Sequence, residues 1–215
     1  MAQEDQSPDC FPMPAPLPIL VSEVIVFGSP ESVFELSFSS ESEFRAKLIN
    51  EIDKLKDVVT SAWVPYLEQR QVLHDSALVG SHYGDIKTRE MSYIIPLWIP
   101  LPGAPNQCQA NETHWMVCRG GGFIIEKKAT SKAPFADCFY TLVRITGVPA
   151  GEHATRLNIS FKLEFVKEPS FLFKIAIENG AVNGTKKAHI QYVESLVATL
   201  GSPGAGDKGK TVDST

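Results

Sequence analysis

The chain has 215 residues, 43% of them apolar, a formal net charge of -5 and an isoelectric point near 5.6. That is enough for one domain with a substantial core, and the acidic balance argues against a nucleic-acid partner, which would call for a clustered basic surface. No apolar run approaches the ~18 residues that a bilayer span needs.

Residues 1–19 hold five of the fifteen prolines and show no periodicity, so a disordered proline-rich arm is expected there. The arm carries acidic residues where a signal peptide has basic ones, so the reading is a soluble, intracellular chain. The folded region should span 20–200, with a flexible, glycine- and charge-rich tail over 201–215.

"LVSEVIVF" reads as a strand ending at Gly28. Ser29, Pro30 and Glu31 then follow in the order of an N-cap, a first-turn proline and an early acid, which predicts a short helix to about Phe38. A second helix is expected from Ser40, with Glu43 completing a capping box and Phe44, Leu48, Ile52 and Leu55 on one face.

The middle of the chain predicts strands: "REMSYII", "HWMVC", "GFIIEKKA", "FYTLVRI" and "TRLNISFKLEFV" are short, rich in β-branched and aromatic residues, and separated by proline or glycine clusters. In the last, Leu157, Ile159, Phe161, Leu163 and Phe165 alternate with Asn158, Ser160, Lys162 and Glu164, giving a dry face and a wet one. The connections are too short for helical crossovers, so the sheet is antiparallel. "RGGGF" at 119–123 reads as a hairpin turn.

"KEPSFLFKIAIENGAVNGTKKAHIQYVESL" (167–196) opens the terminal helix, although each glycine inside it costs roughly 1 kcal/mol relative to alanine. Ile190, Val193, Leu196, Val197 and Leu200 form an apolar stripe, while Ala176, Gly180, Gly184 and Ala188 repeat every four residues as a face of small residues. That face is open to three readings: close backbone packing on the sheet, a break near Gly180, or unfilled volume over a cavity. The order of elements points to an α+β helix-grip (StART-like) fold, in which a curved antiparallel sheet, two short N-terminal helices and a long C-terminal helix enclose a cavity.

"IIPLWIPLPGAPN" (94–106) is apolar yet carries four prolines, which bars it from a central strand. It is expected either to tuck onto the core or to act as a lid that touches a bilayer, built from Leu97, Trp98, Ile99, Pro100, Leu101, Pro102 and Gly103. Little else suggests chemistry. The five histidines are scattered, no metal-binding, nucleophile-elbow or phosphate-loop motif is present, and neither a catalytic residue, a metal nor a cofactor is expected. Of the four cysteines, Cys108 and Cys118 could face each other across adjacent strands, with reduced thiols the preferred reading.

Taken in order, "SPESVFELSFSSESEF", "REMSYIIPL", "APFADCFYTLVRI" and "FLFKIAIENGAVNG" resemble the VASt family of StART-like domains, found in sterol-transfer proteins of membrane contact sites, over about Val24 to Leu196. The resemblance implies a non-enzymatic, monomeric carrier that binds one sterol or related lipid in an internal cavity and makes transient contact with a membrane surface. It also implies that the proline-glycine loop is the lid. Family loops often carry a lysine where Asn106 stands, and Phe171 takes the place of a frequent tryptophan. The family's usual upstream GRAM domain and membrane anchor are not legible in this chain, which leaves a free carrier, a piece of an anchored protein or a member with another task.

Alternation places Phe139, Thr141, Val143 and Ile145 inward, facing Ile159, Phe161 and Leu163. With Tyr93 and the helix positions Ile177, Gly180, Ala181 and Gly184, these make the expected cavity wall, with Thr141 and Tyr93 as candidate partners for a ligand hydroxyl. The alternatives are a helix-grip binder of another hydrophobic small molecule and an interaction module without a cavity.

Overall fold

The computed structural model describes residues 13–66, 78, 84–96, 106–119, 121–133 and 136–203. Among them run β1 (Ile19–Phe27), α1 (Pro30–Phe38), α2 (Glu43–Lys47), β2 (Lys56–Thr60), β3 (Val64–Pro65) and β4 (Lys87–Pro96). Then follow β5 (Gln107–Arg119), β6 (Gly122–Ser131), β7 (Phe139–Pro149), β8 (Ala154–Phe165) and α3 (Phe171–Leu200). All strand pairs are antiparallel, in the order β1-β8-β7-β6-β5-β4-β2, with β3 also paired to β4. This is the α+β helix-grip arrangement read from the sequence. Among the described residues no helix is long and apolar enough to cross a membrane.

The start of α1 follows its sequence signal. Ser29 accepts from the Ser32 amide at 3.2 Å, and Pro30 opens the first turn. The start of α2 does not: Ser42, rather than Ser40, is the cap, accepting from the Arg45 amide, and its hydroxyl donates to the Leu36 carbonyl. A single π-helical turn, Leu48–Ile52, then redirects the chain into β2, a strand too short and polar to show as alternation. Cys108 and Cys118 both belong to β5, so they cannot bond across neighbouring strands, and both are free thiols.

The inner face of the sheet is a set of cross-strand rows. Cys118, Phe123, Gly147 and Leu157 form one, and Met116, Ile125, Ile145 and Ile159 the next. Val33, Phe34 and Phe38 of α1 and Val193 and Leu196 of α3 close over these rows to make the main core. Gly147 allows this closure, because a Cβ there would stand 2.2 Å from the Phe123 ring, itself edge-on to Phe34 and Phe38.

The outer face departs from the wet surface expected of it. Trp115, Val117, Ile124, Tyr140 and Leu142 are buried beneath Met13, Leu17 and Leu78. Ser160 accepts from the Leu17 amide at 2.9 Å, and the Arg144 guanidinium donates to the Ala15 carbonyl and to Glu126 at 2.7 Å. Residues 13–18 therefore lie against the sheet, where alternation alone placed solvent.

The glycines of α3 behave oppositely to Gly147. The helix is continuous through Gly180 and Gly184, both are exposed, and an added Cβ at either meets no atom within 4 Å. Replacing either by alanine should raise stability by about 0.5–1 kcal/mol. Gly147→Ala should instead lower it by about 1–3 kcal/mol through overpacking. Urea denaturation of the three variants checks both signs.

Candidate lipid site

At about 100° per residue, Phe171, Ile175, Glu178, Val182, Thr185, His189, Val193, Leu196 and Leu200 fall on one side of α3. Burial along this stripe is graded: Phe171 is 75% exposed and Ile175 42%, whereas Val193 is 9% and Leu196 0%. The C-terminal half of the helix is thus docked on the sheet. At the N-terminal half, apolar side chains on the same stripe remain uncovered. Gly180 lies half a turn round from His189, so the small-residue face turns away from the sheet rather than over a cavity. Ile177 and Ala181 are half-buried on the flank, and Ile190, expected in the packing stripe, is exposed.

The inner rows opposite the uncovered half change in character. The third row is Arg89, His114, Lys127, Val143 and Phe161, and the fourth is Met91, Glu112, Ala129, Thr141 and Leu163. Beyond them Phe139 pairs with Phe165, their rings 6.2 Å apart. Phe139, Thr141, Leu163 and Phe165 are half-buried, while Val143, Ile159 and Phe161 are fully packed in the core. The expected wall therefore divides into a filled half and an open half. Leu97, Trp98, Ile99, Pro100, Leu101, Pro102 and Gly103 lie outside the described residues.

The β4–β6 side of the open half is polar, which the sequence reading missed apart from Tyr93. Tyr93 donates its hydroxyl to Glu112 at 2.8 Å, and the other Glu112 oxygen is 2.5 Å from His114 Nε2. Arg89 Nε donates to His114 Nδ1 at 3.0 Å, so Nε2 carries the imidazole proton. Arg89 also donates to the Phe38 carbonyl at 2.8 Å and lies 4.3 Å over the Trp63 ring, tying the end of α1 to the sheet. On the next strand Lys127 reaches His189 Nε2 of α3 at 3.2 Å, and His189 Nδ1 donates to the Thr185 carbonyl at 2.8 Å. The signal was present in β6: the inward series Phe123, Ile125 is interrupted by a lysine at Lys127.

Two concave sites are found among the described residues, about 290 Å³ against Tyr93 and Cys108 and about 560 Å³ between α1, α2 and Thr199, the latter at the docked end of α3. Neither is lined by Thr141 or Leu163.

A sequence profile of the VASt family, the VAD1 Analog of StAR-related lipid transfer domain, matches residues 19–184, from the first residue of β1 into the middle of α3. The chain belongs to the VASt family. Human Protein Aster-A is 30% identical over 100 residues, a stretch that makes up 45% of this chain and 14% of that protein. A crystal structure of a conserved protein from Geobacillus kaustophilus aligns over 80% of this chain and 93% of its own, at 11% identity and a TM-score of 0.34. This VASt chain is a StART-like lipid-binding domain.

The electrostatics of the polar side follow from its burial. Burial pushes His114 down to about 4 and His189 to about 3, the neighbouring Lys127 adding to both. Burial also pushes Asp53 up to about 6, against the pull of Lys127. Burial alone would raise Glu112, but the bonds from His114 and Tyr93 and the charge of Lys127 outweigh it and hold the carboxyl well below its usual range.

A folded-state value below the ordinary 6.5 means that each histidine's contribution is complete above that pH and is lost as pH falls toward 4 and 3. Asp53 has the opposite sign, its contribution complete below 3.8 and lost as pH rises through about 6. The urea midpoint should therefore fall between pH 6.5 and 4, more gently in His114→Gln and more steeply in Asp53→Asn.

Proposed function

We propose that this VASt domain binds a single sterol between the uncovered half of α3 and the inner face of β5–β8, and carries it between membranes without covalent chemistry. The observation that carries this reading is the burial gradient on α3. The helix leaves Phe171 and Ile175 uncovered, opposite the half-buried Phe139, Leu163 and Phe165. A rigid, flat hydrocarbon with one polar end matches a slot that is apolar along β7, β8 and α3 and polar along β4–β6. Leu97 to Gly103, with Trp98 suited to a membrane interface, would serve as the lid and touch the bilayer transiently. The domain would act as a monomer at the cytoplasmic surface of membranes.

Burial of a sterol skeleton is worth ~0.8 kcal/mol per CH₂ against water. The ligand starts in a bilayer that is equally apolar, so this large gross term cancels. What remains is a near-neutral exchange, which a carrier needs in order to load and unload. Selectivity then rests on shape and on the fate of the polar end.

Titration of the protein with an intrinsically fluorescent sterol should give saturable one-to-one energy transfer from its tryptophans, reversed by unlabelled sterol. Ala129→Phe, which fills the fourth inner row, should weaken uptake by roughly tenfold or more while leaving the circular dichroism spectrum intact. Unchanged uptake in that variant would move the ligand elsewhere. Displacement by fatty acids or flavonoids but not by sterols would change its class.

A further inference from the structure

We propose that the outer face of the sheet is a docking groove for a proline-rich segment of a partner protein. Residues 13–18 of this chain are its resident occupant, which such a segment displaces. The groove lies on the side of the sheet away from the inner rows and does not depend on what they bind.

An antiparallel sheet with one packed face ordinarily turns polar side chains outward. Here the outward set Trp115, Val117, Ile124, Tyr140 and Leu142 is apolar and buried. One row across it carries polar groups: Trp115, Glu126, Arg144 and Ser160 are cross-strand partners in turn on β5, β6, β7 and β8. The last three are no more than 5% exposed. Glu126 neutralises Arg144, with one carboxylate oxygen 2.7 Å from Nε and 2.6 Å from Nη2. Nη1 is left to donate to the Ala15 carbonyl, and Ser160 accepts from the Leu17 amide at 2.9 Å.

The seated segment is a template for what the groove accepts. Both polar contacts go to backbone groups two residues apart, so they read an extended chain rather than side chains. Met13 and Leu17 supply half-buried apolar anchors, and Gly122 makes room for the first, since a Cβ there would stand 3.1 Å from Met13 Cε. Prolines occupy positions 12, 14, 16 and 18. Every residue between them therefore precedes a proline and is held to extended or polyproline geometry, with little chain entropy left to lose on docking. The resulting rule is apolar-Pro-X-Pro-apolar, with a non-proline at the last position because Ser160 needs its amide hydrogen.

The hold on residues 13–18 is local. It can lift while β1 stays paired with β8 from Ile19 to Phe27. Lifting strands Arg144 Nη1 and the Ser160 hydroxyl on an apolar face, so the bare groove calls for another backbone of the same shape. The resident segment also serves the row incompletely: the fully buried Trp115 indole N–H has no acceptor among the described residues. That unserved donor favours a ligand other than this arm, and hence a partner protein over a second copy of the chain.

The probe is a fluorescein-labelled peptide of residues 11–18, FPMPAPLP, titrated into the full chain and read by anisotropy. The unmutated protein should bind it only at about millimolar concentration, because the tethered arm competes at an effective concentration of that order. Met13→Ser with Leu17→Ser in the protein should tighten binding roughly tenfold or more, as the open groove becomes the main state. Leu17→Pro in the peptide should weaken it roughly tenfold through loss of the amide donor. An arm-released protein that ignores the peptide, or binds both peptides equally, overturns the assignment.

A readout on the unmutated protein covers a double variant that does not fold. The NMR signal of the Trp115 indole N–H should shift and saturate with the parent peptide and stay in place with the Leu17→Pro peptide. A signal unmoved by either overturns the assignment. Doubling of the molecular mass of the unmutated chain, reversed by the peptide, would give the groove to a second copy's arm and overturn the choice of partner.

Discussion

The structure turns on the docking of one straight rod against a curved sheet. Helix α3 is a single element of 30 residues, roughly 45 Å long at 1.5 Å per residue, and it is capped by Gly201, whose φ of +80° turns the chain back to β1. Leu196 and Val193 seat it where α1 and the inner rows of the sheet are already filled. A rigid rod seated at one end cannot also follow the sheet at the other. The uncovered Phe171 and Ile175 are the geometric consequence of that fit, and the surface opposite them stays half-buried.

The polar groups on the β4–β6 side are buried, and they are tolerated there because they satisfy one another's hydrogen bonds. Arg89, His114, Glu112 and Tyr93 form a chain in which each hydrogen bond sets the tautomer or charge of the next. That chain joins β4 and β5 to the last carbonyl of α1. It also explains why two histidines sit neutral beside a lysine: burial removes the hydration that would favour a second positive charge.

The sheet is covered on its other side as well. The Arg144–Glu126 pair, with Glu126 fully buried, is placed between apolar side chains and the backbone of residues 13–18. Removing one member of such a pair strands the other charge, so this pair holds the strap at Ala15 and Leu17 in register with β7 and β8. The outer surface of the grip is thus a second, smaller core.

Local periodicity was enough to read β1, α1, the five long strands, α3 and their antiparallel order. Alternation and capping depend on near neighbours, and Ser29 or Leu157 to Phe165 carry their signal within a single element. The VASt resemblance, resting on segments spread over the same elements, agreed with that reading. Other features depend on residues far apart in sequence: which half of the inner face stays open, the turning of Gly180 and Gly184 away from the sheet, the burial of Ser160 by Leu17, and the meeting of Lys127 with His189. Each is decided by how a straight helix and a chain segment settle on a twisted surface. A period along one element says which residues share a face. Only the tertiary structure decides what that face meets.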